Sequence, residues 1–326
     1  MIQRAAVIGG GTMGHSFANN FASHGIEVRL YEPFDEVRNT VIDRIRTELE
    51  IMVEENYFPA EKIQETLSRI TLFKDLEPAV RDCDLILEAL PEDLELKQDL
   101  FAQLDRLCPP EVLIASNTSS LKLADLTAHL PDARKAKVLI THGYNPPHLI
   151  PIIELSFYGN MSQEDYEQVE EFFVRCEKVP VKVLKDVTGM VANRLLHAQA
   201  REAFYLIDQG IASAEDVDRA IMAGPCFRNA TTGMLECADM GGLDIWCAAE
   251  HNFFPDLADN KKPSETMQRL VDQGDFGIKT GKGFYRYPEE TRAAALDAFN
   301  RRLIRQLAVS RSYWKKEKER LEESRA

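Results

Sequence analysis

Three glycines near the start of the chain, Gly9, Gly11 and Gly14 in "AAVIGGGTMGHSFANNFASHG", constrain the fold more than any other feature. They follow a short β-branched run and open an amphipathic stretch, so a strand must turn abruptly into a helix. Gly9 allows the tight turn, Gly11 lets backbone approach a pyrophosphate, and Gly14 lets the helix pack on the strand. The helix N-terminus adds free N–H groups and about half a positive charge. Thr12 and Met13 complete the same loop. A bare glycine turn is the alternative. The next strand-like run, "EVRLYEP", however, ends in Glu32, 23 residues after Gly9, where a carboxylate accepts hydrogen bonds from an adenosine ribose and repels a 2′-phosphate. Together these features predict NAD as the cofactor.

Up to about residue 185, short runs such as "RAAVI", "EVRLY", "RITLF", "LILEA", "VLIAS", "VLIT" and "VPVKV" alternate with longer amphipathic stretches. That alternation predicts a mostly parallel sheet with helical crossovers. Residues 94–107 and 163–176 carry apolar side chains at i, i+3 and i+4, as helices covering a sheet do. After "KDVTGM" the strands stop, and the pattern from Met190 to about Glu250 is helical. The reading is an α/β Rossmann-type N-terminal domain at 1–185 and an all-α C-terminal domain at 186–326. The polar, charged tail from Glu289 reads as a solvated helix that frays.

A net charge of −14 argues against nucleic acid as a partner, since phosphate backbones are bound by clustered Lys and Arg. The six cysteines show no close CxxC pairing, which predicts reduced thiols and no metal site. No apolar run approaches the roughly 18 to 20 residues that span a bilayer, so no membrane anchor or signal peptide is read, and a cytoplasmic location is expected.

A second segment, "LITHGYNPPHLIPIIEL", holds His142 and Glu154 on either side of adjacent prolines. Two fixed φ angles and two missing donors force the segment to turn, which could fold the pair together. The alternative is a histidine ending a strand and a surface glutamate. "VLIASNTSS" places Asn117 and Ser119 just past a strand end, where open α/β sheets bind ligands or where such residues cap a helix. Asn193 lies early in an otherwise apolar helical stretch, where a buried amide needs a partner. Glu88 and Lys97 in "EALPEDLELK" read on their own as a surface ion pair. His15 reads as a helix-surface histidine or a phosphate donor, and His148 as a structural or rim residue.

These residues resemble the 3-hydroxyacyl-CoA dehydrogenases, a set that includes carnitine and L-gulonate dehydrogenases and lambda-crystallin. The pieces "GGGTMG", "EALPEDLELK", "ASNTSS", "HGYNPPHLIPIIE", "VTGMVANRLL", "GGLD" and "GIKTGKGFYRY" carry the resemblance from about Ile2 to Tyr287. It implies a dinucleotide-binding domain followed by a helical domain that forms a homodimer and closes the active site. It makes His142 the acid/base, Glu154 its partner, Ser119 and Asn193 the donors to the reacting oxygen, and Glu88 and Lys97 residues lining the cofactor side. Histidine suits that role because its unperturbed pKa lies near working pH.

The expected reaction is NAD-dependent oxidation of a 3-hydroxy substrate to the 3-oxo product, with a short-chain L-3-hydroxyacyl-CoA first and a CoA-free 3-hydroxy acid of the gulonate or carnitine type second. A non-catalytic NAD-binding structural protein is the reading from another class. Acyl-CoA members of the family carry lysines in the helical hairpin after the second strand. Here the hairpin between Arg46 and Lys62 has five glutamates and no basic residue, a poor match to CoA's phosphates. Arg228 could grip a substrate carboxylate or be an ordinary surface arginine.

Overall fold

The computed structural model describes the backbone from Met1 to Glu323 and side-chain surroundings as far as Trp314. Eight strands form one sheet: β1 (Arg4–Ile8), β2 (Glu27–Tyr31), β3 (Ile70–Phe73), β4 (Leu85–Glu88), β5 (Leu113–Ser116), β6 (Val138–Gly143), β7 (Ile152–Ser156) and β8 (Val179–Val183). Their order is β3-β2-β1-β4-β5-β6-β7-β8. The first six strands are parallel, and β7 with β8 runs against them. The order reverses between β1 and β4, so a crevice opens beyond the carboxyl ends of those strands.

Alternation along β1 feeds both faces of the sheet. Ala5 and Val7 join a core with Phe17, Phe21, Phe172 and Phe173, while Ala6 and Ile8 join the opposite one with Leu100, Phe101 and Leu104. The first core is closed by α1 (Thr12–Ser23), the hairpin helix Val41–Glu54 and the helix Gln163–Arg175. The second is closed by the helix Leu94–Leu107, whose N-cap Asp93 accepts a hydrogen bond from Leu96 N. Each fully buried Phe or Leu contributes roughly 1.5 to 3 kcal/mol. Gly14 is fixed by contact: a Cβ there would lie 1.7 Å from the carbonyl oxygen of Gly9.

Two expectations change. The segment "PIIEL", not read as a strand, is β7, and it is the one strand paired antiparallel with β6. Flanking prolines and a glutamate concealed it. The tail is a helix, Glu289–Glu323, but it is not wholly solvated. Ile304 is buried in the first core, with Leu303 and Leu307 packed beside it, and Arg305 pairs with Glu55 at 2.7 Å. Three apolar residues among many charges form too narrow a stripe to stand out.

The chain divides into two units. One contains Met1–Ala192 and takes back Leu303–Ala308, whereas the sequence pattern changes at 185. The other, Asn193–Arg302 with Val309–Glu317, is helical, and its longest complete helix is Ala192–Asp208. Among the described residues no helix is long and apolar enough to cross a membrane.

Candidate active site

The glycine loop leaves β1 with Gly9 at φ +103° and enters α1 through Gly11. A Cβ built on Gly11 would meet nothing within 4 Å, which leaves the open approach that a pyrophosphate needs over the helix N-terminus. Glu32, at the end of β2, is buried. Its Oε2 accepts from Gly10 N at 2.9 Å and its Oε1 from Phe34 N at 3.0 Å, so the carboxylate is fixed beside the loop. Arg29 does not reach it, because its guanidinium donates to the carbonyls of Pro78 and Arg81 over the Phe73 ring. The cradle and the fixed acid fit a dinucleotide with an unphosphorylated ribose.

His142 and Glu154 are direct cross-strand partners in the β6–β7 pair. Their side chains meet on one face, with His142 Nδ1 2.8 Å from Glu154 Oε2, and both are buried. Burial alone would raise the Glu154 carboxyl. Hydrogen bonds from His142 and from the N–H groups of Ala192 and Val191, the latter two at 2.8 Å to Oε1, outweigh that and hold it below the usual carboxylate range. An ionised Glu154 accepts from Nδ1–H, which leaves Nε2 as the nitrogen with a lone pair. The arrangement can therefore accept a proton at Nε2 and stabilise the imidazolium that results. The Tyr144 ring stands edge-on to His142, 5.6 Å between centroids.

The loops after β4 and β5 are held by a cluster that runs from buried Glu88, Lys97 and Ser116 out to exposed Glu92. Lys97 Nζ lies 2.9 Å from Glu88 Oε1, and both residues are buried, so this is not a surface ion pair. Ser116 Oγ and Leu90 N also donate to Glu88, each at 2.6 Å. Lys97 reaches Glu92 as well, and Glu92 Oε1 accepts from Thr118 Oγ1, Ser119 N, Ser120 N and Ser120 Oγ. Burial would raise Glu92, but these donors and Lys97 bring it down to about 2. Asn117 Oδ1 accepts from Gly143 N at 3.0 Å, tying the loop after β5 to the end of β6. Neither Asn117 nor Ser119 caps the following helix, Leu123–Leu126, whose N-cap is Lys122.

Residues 4–187 match the 3-hydroxyacyl-CoA dehydrogenase NAD binding domain, and residues 189–287 match the C-terminal domain of the same family. The chain belongs to the 3-hydroxyacyl-CoA dehydrogenase family. It is an NAD-dependent oxidoreductase acting on CH–OH groups, like its relatives. One relative, 5-formyl-3-hydroxy-2-methylpyridine 4-carboxylate 5-dehydrogenase from Mesorhizobium japonicum, is 31% identical over 90% of this chain and 94% of its own. A probable 3-hydroxybutyryl-CoA dehydrogenase of Bacillus subtilis is 31% identical over 89% and 99%. The solved structure of a dehydrogenase for the same pyridine acid, described as an NAD⁺-dependent dismutase, superposes with a TM-score of 0.86 at 28% identity and covers 95% of this chain and 99% of that one. That of a 3-hydroxybutyryl-CoA dehydrogenase from Ralstonia eutropha gives 0.71 at 29% identity, over 89% and 100%.

Within this dehydrogenase, the first unit gathers the glycine loop, Glu32, Glu88, Lys97, Asn117, Ser119, His142 and Glu154. Asn193, half-buried, is the first residue of the second unit and the second of its opening helix. Arg228 is exposed on the helix Pro225–Asn229. His15 is not on the surface: it is buried, with Nε2 2.8 Å from Glu48 and Nδ1 beside Gly11 O. The sequence reading missed Glu92 and the pairing of a buried His15 with Glu48. Glu92 stands four residues after Glu88 in a motif already singled out, and the "NTSS" run of donors after β5 is the signal that a carboxylate must face it.

Proposed function

We propose that the chain oxidises the hydroxyl of a small, CoA-free hydroxy acid, with His142 as acid/base and Glu154 as the residue that orients and charges it. The pairing of His142 with Glu154 supports the acid/base reading. NAD, when bound, supplies the hydride acceptor. His142 takes the hydroxyl proton at Nε2, and Glu154 favours the resulting cation. Ser119 holds the reacting oxygen. Asn117 and the Glu88–Lys97–Glu92 cluster fix the loops that flank the nicotinamide side, and Gly9, Gly11, Thr12, Met13, Gly14 and Glu32 hold the dinucleotide.

The observation that carries the choice of a CoA-free substrate is the hairpin after β2. Glu48 is committed to His15 and Asn19, and Glu55 to Arg305. Leu303, Ile304 and Leu307 of the terminal helix pack on the core that the hairpin helix closes. An acidic hairpin with a helix laid on it offers little to a ligand bearing three phosphates. The higher TM-score to a dehydrogenase of a free pyridine acid points the same way. Acyl-CoA is the second reading, favoured by the 3-hydroxybutyryl-CoA relatives. The active form is a cytoplasmic homodimer formed through the helical unit.

The test is NADH absorbance with L-gulonate, L-carnitine, 3-hydroxybutyrate and 3-hydroxybutyryl-CoA, at two salt concentrations. Turnover of free acids with no CoA ester oxidised is expected. Efficient oxidation of 3-hydroxybutyryl-CoA would restore the second reading.

A further inference from the structure

Resting on that acid/base reading, we propose that His148 is a positioning residue: it ties the loop between His142 and Glu154 to α1, the helix whose N-terminus receives the dinucleotide phosphates. The loop runs from the end of β6 to the start of β7, and side chains anchor it at three successive backbone points. His148 N donates to Ser16 Oγ at 3.0 Å. Lys178 Nζ donates to the carbonyl oxygens on either side, those of Pro147 and of Ile150, the latter at 2.8 Å. Ser16, on α1, lies two residues beyond Gly14 and is buried. Its hydroxyl accepts from His148 N and so donates to His148 Nδ1, 2.7 Å away. That bond requires a bare Nδ1. Burial, together with Lys178 and His15 and against Glu48, lowers His148 to about 4 and keeps the ring neutral in ordinary buffers.

A wider shell holds this bond in place. Glu48, on the hairpin helix, accepts from Asn19 on α1 and pairs with His15 on the same helix, and its Oε2 lies 3.7 Å from His148 Nδ1. Arg44, from that hairpin helix too, reaches both His15 and Gly10 O. Apolar residues could have filled this space at lower desolvation cost. What the polar chain adds is a defined geometry. The loop sets the β6–β7 register, which places His142 opposite Glu154, and a slip of one residue would turn the two side chains to opposite faces. Because the same helix carries the phosphate loop, one rigid element fixes both the cofactor and the acid/base pair. Hydride transfer is sensitive to that relation, since about 1 Å of misplacement can cost 10²-fold in rate.

The groups facing the His142–Glu154 pair are Tyr144 from the loop and Tyr158 beyond β7. Those facing His148 are Glu48, His15 and Lys178. The experiment uses the full chain and compares His148→Leu, His148→Asn, which restores an acceptor for the Ser16 hydroxyl, and Ser16→Ala. The first readout is the far-downfield proton NMR resonance of the His142 Nδ1–H bonded to Glu154, assigned by its disappearance in His142→Gln. The second is kcat on whichever compound of the panel is turned over, in wild-type and His142→Gln backgrounds.

His148→Leu should broaden the resonance and lower kcat about tenfold, with NADH affinity within about threefold of wild type. His148→Asn should recover both within about threefold. Ser16→Ala should act in the same direction and stands in if His148→Leu does not fold. In the His142→Gln background His148→Leu should have no further effect on kcat. A sharp, unshifted resonance with wild-type kcat in both His148→Leu and Ser16→Ala, or losses that multiply independently of His142, would overturn the proposal. Full activity of His142→Gln would instead overturn the acid/base reading beneath it.

Discussion

The two units of the chain differ most in how they treat their apolar residues. The first covers both faces of its sheet with its own helices and buries Phe17, Phe21, Phe101, Phe172 and Phe173 completely or nearly so. In the second, Val217, Cys237 and Ala238 are buried, while Met222, Phe227, Leu235 and Met240 are each more than two-thirds exposed. So many exposed large apolar side chains on one unit point to a surface that another body covers. The first unit therefore holds its own core and the buried His142–Glu154 pair in one body, whereas the second leaves large apolar side chains to be covered. A second copy of the chain is the occupant proposed above.

The comparison breaks first at assembly. Replacing Leu235 and Leu195, the latter 64% exposed on the helix Ala192–Asp208, by Glu together should convert a two-chain species to single chains in sedimentation experiments, because each charge would have to be buried in an apolar contact. NADH binding by the first unit should persist within a few-fold. A mass of two chains in the double variant would show that the exposed face is not the interface.

The first unit's chemistry is the next target. His142→Gln should cost about 10²-fold or more in kcat, the usual scale for losing a general base, with NADH affinity and assembly unchanged. Glu154→Gln should also lower kcat, since it removes the carboxylate that orients the imidazole and faces the cation it becomes. Wild-type turnover in both variants would mean that proton transfer happens elsewhere.

Much of the candidate site's geometry was legible because its motifs sit at strand ends, where the glycine loop, "ASNTSS" and the His142 segment each announce a turn. β7 was not legible as a strand: Pro151 precedes it and Glu154 interrupts it, and only pairing with β6 and β8 makes it extended. The burial of His15 and of the Glu88–Lys97 pair was hidden for a related reason. Helical periodicity says which residues share a face but not what polar partner another element brings to it. Glu48, the partner of His15, is 33 residues away in sequence.

The terminal helix sharpens the comparison within one element. Ile304 is buried in the first core, whereas Val309, little more than a turn later and assigned to the second unit, is 59% exposed. Ile304→Ala should destabilise the first unit by about 2 to 4 kcal/mol, as expected for a core cavity, and Val309→Ala by less than about 1 kcal/mol. Urea unfolding followed by intrinsic fluorescence separates the two. Equal and small losses would mean that the helix does not belong to the first unit's core.

The smallest effect concerns Lys178, the buried lysine that anchors the loop after β6. Burial lowers its pKa from an ordinary 10.5 to about 7. Below pH 7 the folded and unfolded chains both hold the proton, and the fold carries the whole cost of a buried ammonium. As pH rises from 7 toward 10.5 the folded state has lost a proton that the unfolded chain still binds, so stability rises with pH across that window. In Lys178→Met this contribution is absent, although the variant also loses the donor to two loop carbonyls and should be less stable throughout. The difference in unfolding free energy between wild type and Lys178→Met should therefore grow by about 1 to 2 kcal/mol between pH 7.5 and 9.5. A difference that stays constant over that range would mean the ammonium remains charged, held by the carbonyls of Pro147 and Ile150 alone.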